Sequence, residues 1–98
     1  MYSTRIDLDA KLRGHIVPLL NARLADALDL ELATKQAHWN VKGPNFIALH
    51  ELFDELHTNI KEHVDTLAER ITALGAVALG TVQTVARTST LKPYPEDI

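Results

Sequence analysis

The chain has 98 residues, with 10 Lys or Arg against 13 Asp or Glu, and a formal net charge of -3. This length allows one domain with a small core, because short chains bury a low fraction of their surface. The absence of Cys excludes disulfides, thiolate metal sites and Cys nucleophiles. The acidic balance argues against nucleic-acid binding driven by overall charge, since phosphate contacts need clustered Lys and Arg. The apolar runs are too short to cross a bilayer, so no membrane association is expected.

The first predicted element is a helix from Pro18 to about Asn40. Residues 1–14 are polar and mixed in charge, and they are interpreted as an N-terminal tail. Pro18 suits the first turn of a helix, where its missing N–H costs little. The residues that follow it contain no Gly or Pro and many strong helix formers. Their apolar positions form two stripes, which indicates a helix packed on two sides.

A second helix is predicted from Phe46 to Leu74, after a turn at residues 42–45. Gly43 ends the first helix, Pro44 prevents its continuation, and Asn45 is a suitable N-cap for the second. Apolar residues follow one arc of this helix with helical periodicity, which predicts its core stripe. The members of the stripe are Leu49, Phe53, Leu56, Ile60, Val64, Leu67, Ile71 and Leu74.

A connecting segment is predicted at residues 81–98, where Pro93 and Pro95 exclude a long helix. The whole chain, 1–98, is therefore predicted to be a single domain, an antiparallel helical hairpin with an extended C-terminal tail. Two helices with more than one apolar face each do not form a complete layered fold. Another copy or another polypeptide segment is expected to cover these faces, and the isolated chain is not expected to be a stable monomer.

Four residues of metal-ligating types share one narrow face of the second helix, beside the core stripe: His50, Asp54, Asp65 and Glu69. They form two i,i+4 pairs, and each pair can converge locally. Asp54 and Asp65 are about 16 Å apart along the axis, so one helix cannot bring both pairs to one ion. An antiparallel second copy would place the first pair opposite the partner's second pair and create two equivalent sites. His38, just before the turn, can join either site.

The spacing leaves other interpretations open, because charged residues on a helix face are usually a solvated surface. His57, Glu62 and His63 are also neighbouring His and acidic residues, and they are interpreted as surface. Asp54 and His57 form a further possible ligand pair. This pair ranks after His50 and Asp54 as a candidate, because His57 lies at the edge of the core stripe. Imidazole and carboxylate ligands suit iron, manganese or zinc, and the lack of sulfur favours iron.

The segment KQAHWNVKGPNFIALHELFDELHTNIKEHVDTLAERI, residues 35–71, resembles the signature region of the Dps family of mini-ferritins (DNA protection during starvation). LGAVALGTVQ and LKPYPEDI, further along the chain, also match the family's pattern. The resemblance implies an all-α, ferritin-like four-helix bundle, of which this chain supplies the first two long antiparallel helices. Family subunits continue into two further helices, so the chain is expected to correspond to the N-terminal half of a subunit.

The resemblance also implies a ferroxidase centre between two-fold-related subunits. The family's HWN histidine corresponds to His38, and its second histidine and the following aspartate correspond to His50 and Asp54. The partner subunit's DxxxE pattern corresponds to Asp65 and Glu69. The same arrangement, with one pair from each of two antiparallel copies, is allowed by the spacing of the ligand types on the second helix. The implied activity is oxidation of paired Fe²⁺, preferably by hydrogen peroxide, followed by storage of ferric mineral in a hollow shell as part of the oxidative stress response.

The implied partner is a further copy of the chain, as a two-fold dimer at the metal site and a dodecamer for a full-length subunit. The implied location is cytoplasmic, with nucleoid association in members that bind DNA. DNA binding is not expected here, because those members use a Lys-rich tail and residues 1–14 are only weakly basic. The alternatives are a helical interaction module without catalytic activity and a zinc or manganese binder of the same fold.

Overall fold

The computed structural model describes residues 3–4 and 6–96, and all regular structure in them is helical. The helices are α1 (Ala10–Asn40), α2 (Phe46–Ala73) and α3 (Val82–Thr88). No strand forms in the described part of the chain, which agrees with the predicted all-α class. Across the same residues, no helix has both the length and the apolar character needed to cross a membrane.

Helix α1 begins at Ala10, about two turns before the predicted start at Pro18. Part of the predicted tail is therefore helical. Asp9 caps the helix, because its side chain accepts a hydrogen bond from the backbone N–H of Leu12 at 2.8 Å. Pro18 lies inside α1 and removes one backbone hydrogen bond there. The cap stabilises the turns that precede the proline, so the helix begins upstream of the position that Pro18 alone indicates.

Helix α2 ends one residue before the predicted position, in a turn that satisfies its last carbonyl groups. Gly75 adopts a left-handed conformation with φ of 84°. Its N–H donates to the carbonyl of Thr72 at 3.0 Å, and the N–H of Ala76 donates to the carbonyl of Ile71 at 3.2 Å. This pair of bonds is a Schellman motif, which favours glycine at the left-handed position. Gly75 therefore sets where the chain leaves α2.

Helices α1 and α2 form an antiparallel hairpin. Arg13 of α1 donates to the carbonyl of Leu74 at one end, and His38 contacts His50 at the other. The core between them centres on the buried residues Leu24, Val64 and Ile71. Of the predicted α2 stripe, Ile60 and Leu67 pack against this core and Leu74 is buried.

Leu56 differs from its predicted place in the core stripe, because it is 41% exposed. It lies at the edge of the arc that faces α1. Other large apolar side chains are also exposed on both long helices, among them Leu12, Leu19, Leu30, Leu32, Trp39 and Leu52. Burying such groups against a further element would be favourable. The expectation that another copy or segment covers these faces stays a prediction.

The segment after α2 is not extended throughout, since α3 forms at Val82–Thr88. Thr81 caps it by accepting from the N–H of Thr84, and Val85 is buried against the hairpin. The stretch contains small and β-branched residues, which are weak helix formers, so the sequence favours no helix there. Capping and packing against α1 outweigh that weak propensity.

Polar side chains of α1 hold this C-terminal segment in place. The Asn21 amide donates to the carbonyl of Val77 at 3.1 Å and accepts from the N–H of Leu79 at 2.9 Å. Asp26 accepts from the backbone N–H of Thr90 at 2.7 Å. That hydrogen bond is the main reason why the pKa of Asp26 is lowered from its ordinary value. The segment is therefore tied to α1 by hydrogen bonds as well as by apolar packing.

Candidate metal centre

His38 and His50 lie side by side at the turn end of the hairpin. Their rings are stacked, with centroids 3.6 Å apart and an interplanar angle of 20°. His38 Nδ1 lies 2.5 Å from the carbonyl oxygen of His50, and His50 Nδ1 lies 2.7 Å from the carbonyl oxygen of His38. Because a carbonyl oxygen can only accept, each Nδ1 carries the proton and donates it. In the neutral ring, the Nε2 lone pair is then the available ligand atom, as in metal-binding histidines whose other nitrogen is hydrogen-bonded.

Asp54 lies one turn along α2 from His50 and makes an ion pair with Lys35 of α1. Lys35 Nζ donates to Asp54 Oδ1 at 2.9 Å. This hydrogen bond, together with the positive charge of Lys35, lowers the pKa of the Asp54 carboxyl. Asp54 is therefore ionised at neutral pH, and its second carboxylate oxygen makes no hydrogen bond within the described residues.

We expect that Lys35→Met raises the pKa of Asp54 towards its ordinary value of 3.8, because both dominant causes of the lowering are removed. A carboxyl with a lowered folded pKa contributes stability above its unfolded pKa and loses that stability as pH falls through the folded pKa. The stability difference between wild type and Lys35→Met should therefore shrink in acid. NMR titration of Asp54 and unfolding at several pH values measure both effects. Lys61→Met removes an exposed lysine from α2, and it should leave the Asp54 titration unchanged.

Asp65 and Glu69 are exposed on α2, one turn apart. Neither carboxylate takes part in a hydrogen bond or ion pair within the described residues. Asp65 lies about 16 Å along the helix axis from Asp54, as predicted. In the part of the chain that the structure describes, no three metal-ligating side chains come close enough to hold an ion. One copy thus brings His38, His50 and Asp54 to one end of the hairpin and leaves Asp65 and Glu69 apart from them.

The structure brings two further residues, Lys35 and His57, to this region. The sequence predicts no role for Lys35, which lies on α1 one turn before His38. It favours a surface position for His57 and offers the pair with Asp54 as the lesser alternative, whereas the His57 side chain is only 22% exposed and faces Glu31 of α1 across 3.7 Å. Glu62 and His63 are exposed, as predicted. Residues 31, 35 and 38 share one line of α1, and the signal for their contacts is the matching spacing of polar residues at 50, 54 and 57 in α2.

A family model for the ferritin-like domain matches residues 17–98 of the chain. The chain belongs to the ferritin-like family. Within that family it is similar to Dps proteins. It is 50% identical over 97 residues to the DNA protection during starvation protein of Agrobacterium fabrum. This match covers 99% of this chain and 60% of the relative. It is 37% identical over 87 residues to the protein of that name from Mycolicibacterium smegmatis, covering 89% of this chain and 48% of the relative.

Solved Dps structures resemble the fold of this ferritin-like chain. The tetragonal form of Mycobacterium smegmatis Dps matches with a TM-score of 0.90 and 35% identity over 97% of this chain and 58% of that one. The Vibrio cholerae Dps protein matches with a TM-score of 0.92 and 30% identity, over 100% of this chain and 62% of that one. It is described as a member of a broad superfamily of ferritin-like diiron-carboxylate proteins. The ferritin-like fold class predicted from the sequence is confirmed. The chain spans between about half and three-fifths of the length of these relatives.

Proposed function

We propose that this ferritin-like chain takes part in iron storage and detoxification by oxidising Fe²⁺ at a centre shared between two copies. His38, His50 and Asp54 come from one copy, and Asp65 and Glu69 come from its partner. The observation that carries the proposal is the reciprocal hydrogen bonding of the stacked histidines, because it leaves both Nε2 atoms available as ligands.

The chemistry of the donor set fits iron. Imidazole nitrogen with carboxylate oxygen and no sulfur is a ligand combination that iron accepts. The description of the Vibrio cholerae neighbour as a diiron-carboxylate family member supports iron over the zinc or manganese alternatives. Asp54 is ionised at neutral pH, and Lys35 lowers its pKa further, so it can bind a cation without first losing a proton. Asp65 and Glu69 are exposed, which supports their assignment to the half of the centre that a second copy would approach.

Iron is the substrate in this scheme, and hydrogen peroxide is the electron acceptor. Two Fe²⁺ ions each give up one electron, the O–O bond of one peroxide breaks, and two protons complete two water molecules. Because both electrons are transferred as a pair, no hydroxyl radical is released. The histidines and carboxylates bind the two ions and balance their charge. DNA is then protected through removal of Fe²⁺ and peroxide, a role that needs no basic tail.

The shared centre requires a homo-oligomer with at least one two-fold interface. A two-fold axis makes both sites of a dimer equivalent, so each copy supplies both halves of the ligand set. The similarity to Dps proteins supports extending this dimer to a dodecamer for a full-length subunit in the cytoplasm. The exposed apolar side chains of α1 and α2 also support a second candidate function, a helical interaction module without catalysis.

Oxidation of Fe²⁺ by the purified chain separates these two functions. Fe²⁺ is added without oxygen, then hydrogen peroxide or air is admitted, and the formation of Fe³⁺ is followed by absorbance. We expect a rate well above that of Fe²⁺ alone, faster with peroxide than with air, and two Fe²⁺ consumed per peroxide. A spin trap should detect no hydroxyl radical. An interaction module would self-associate but give the rate measured without protein, and that result would reject the proposed ferroxidase.

A further inference from the structure

Glu31 of α1 and His57 of α2 face each other across the hairpin. His57 Nε2 lies 3.7 Å from Glu31 Oε1, and the two side chains are only 22% and 16% exposed. This distance is longer than an N–H···O hydrogen bond, which spans about 2.7–3.2 Å. Neither side chain makes another hydrogen bond within the described residues. Two largely buried polar groups therefore point at each other at a distance that a direct hydrogen bond does not bridge.

Largely buried polar groups normally have a bonding partner, since leaving them without one is costly. A divalent transition metal bridges nitrogen and carboxylate oxygen at roughly 2.0–2.2 Å, which places two tetrahedral ligands roughly 3.4 Å apart. The observed 3.7 Å needs only a small inward movement of either side chain to match this spacing. Forming a direct hydrogen bond between His57 and Glu31 would need a larger inward movement of the same side chains.

The surrounding charges also favour a cation. Glu31 and Asp54 each carry a negative charge and Lys35 carries a positive one, so these three groups sum to one negative charge when His57 is neutral. Lys35 is already engaged with Asp54, which leaves the Glu31 carboxylate as the uncompensated group. Both ligands project from the interior of long helices, so their separation is set by the packing of α1 against α2.

We propose that Glu31 and His57 form an accessory site for a divalent first-row transition metal ion, with water molecules completing its coordination. This site uses ligands of one copy only, so it does not depend on the shared centre. His57 is about 4.5 Å along the helix axis from Asp54. A metal ion held there lies beside the ligand that the proposed function assigns to the ferroxidase centre, and the site can hold Fe²⁺ before oxidation.

Titration with Co²⁺, followed by its visible absorption and by calorimetry, tests the site. The background variant is His50→Ala, which weakens the shared centre. We expect Glu31→Gln or His57→Gln in that background to remove one Co²⁺ per chain or to raise its Kd at least tenfold, and to remove the matching absorption. The matched control, His63→Gln, replaces an exposed histidine of the same helix and should change neither quantity. Circular dichroism shows whether each variant keeps its helices.

Equal Co²⁺ binding in the His57→Gln, Glu31→Gln and His63→Gln chains, with helices intact, would overturn the proposal and identify an ion pair or a water-bridged pair instead. The outcome is independent of the ferroxidase function. A chain that does not oxidise Fe²⁺ but loses a Co²⁺ ion on His57→Gln would reject the shared centre and retain the accessory site. A chain that oxidises Fe²⁺, but whose Co²⁺ binding is not altered by His57→Gln, would retain the shared centre and reject the accessory site.

Discussion

His50→Ala is expected to lower the rate of Fe²⁺ oxidation by at least about 100-fold, because it removes a ligand, and losing even a supporting partner of a ligand costs 10–100-fold. Helix content should stay nearly unchanged, since the His50 backbone carbonyl remains and still accepts from His38. Glu69→Ala should give a loss of similar size, although Glu69 is exposed and makes no ion pair with any residue that the structure describes. Stopped-flow measurement with peroxide provides both rates.

The control for these variants comes from the same helix. His63→Ala and Glu62→Ala each remove one exposed residue of the same type from outside the proposed centre. They should leave the oxidation rate within about twofold of wild type, since surface changes away from a site have small effects. If His63→Ala lowered the oxidation rate as much as His50→Ala, the activity would depend on exposed side chains of α2 in general and not on the proposed ligands.

Ile71→Ala is expected to lower the free energy of unfolding by about 2–5 kcal/mol, since it leaves a cavity where α1 and α2 meet. Ile71 is fully buried, at 0% exposure, and packs with Leu24 and Val64. Ile71→Val removes one methylene group and should cost about 0.5–1.5 kcal/mol. Urea unfolding at a fixed protein concentration measures both values. Equal losses for Ala and Val would contradict the assignment of Ile71 to the centre of the core.

The sequence predicts the hairpin because local signals agree with each other there. The Gly-Pro-Asn turn lies between two strongly periodic segments, and α2 begins at the predicted Phe46 and ends within one residue of the predicted Leu74. The apolar periodicity also locates Val64 and Ile71 in the core. These features depend on residues close together in the chain, which is why a single sequence is sufficient to find them.

The ends of the fold depend on contacts that no local pattern contains. Helix α1 extends past Pro18 to Ala10 because Asp9 caps it and because Arg13 reaches the carbonyl of Leu74 at the far end of α2. Helix α3 has weak propensity but is positioned by α1, where Asn21 binds the segment that leads into it. In both places tertiary contacts outweigh propensity.

The spacing predicts the candidate ligands but not the groups that orient them. The stacking of His38 on His50, and the hydrogen bonds that leave their Nε2 atoms available, depend on how α1 and α2 pack. The pairing of Lys35 with Asp54 depends on the same register. The sequence offers His57 as a surface residue or as a lesser ligand partner of Asp54, because a histidine at the edge of the core stripe has no local feature that reveals a partner such as Glu31.

Mixing two inactive variants tests most directly whether the centre is shared between copies. His50→Ala damages one half of the ligand set and Glu69→Ala damages the other, so a mixed dimer contains one intact site and one doubly damaged site. Mixed dimers are about half of a random mixture, which restores up to about a quarter of the sites. The shared centre therefore predicts recovery of Fe²⁺ oxidation to about a quarter of wild type once subunits exchange. No recovery, with exchange verified by native mass spectrometry, would contradict it.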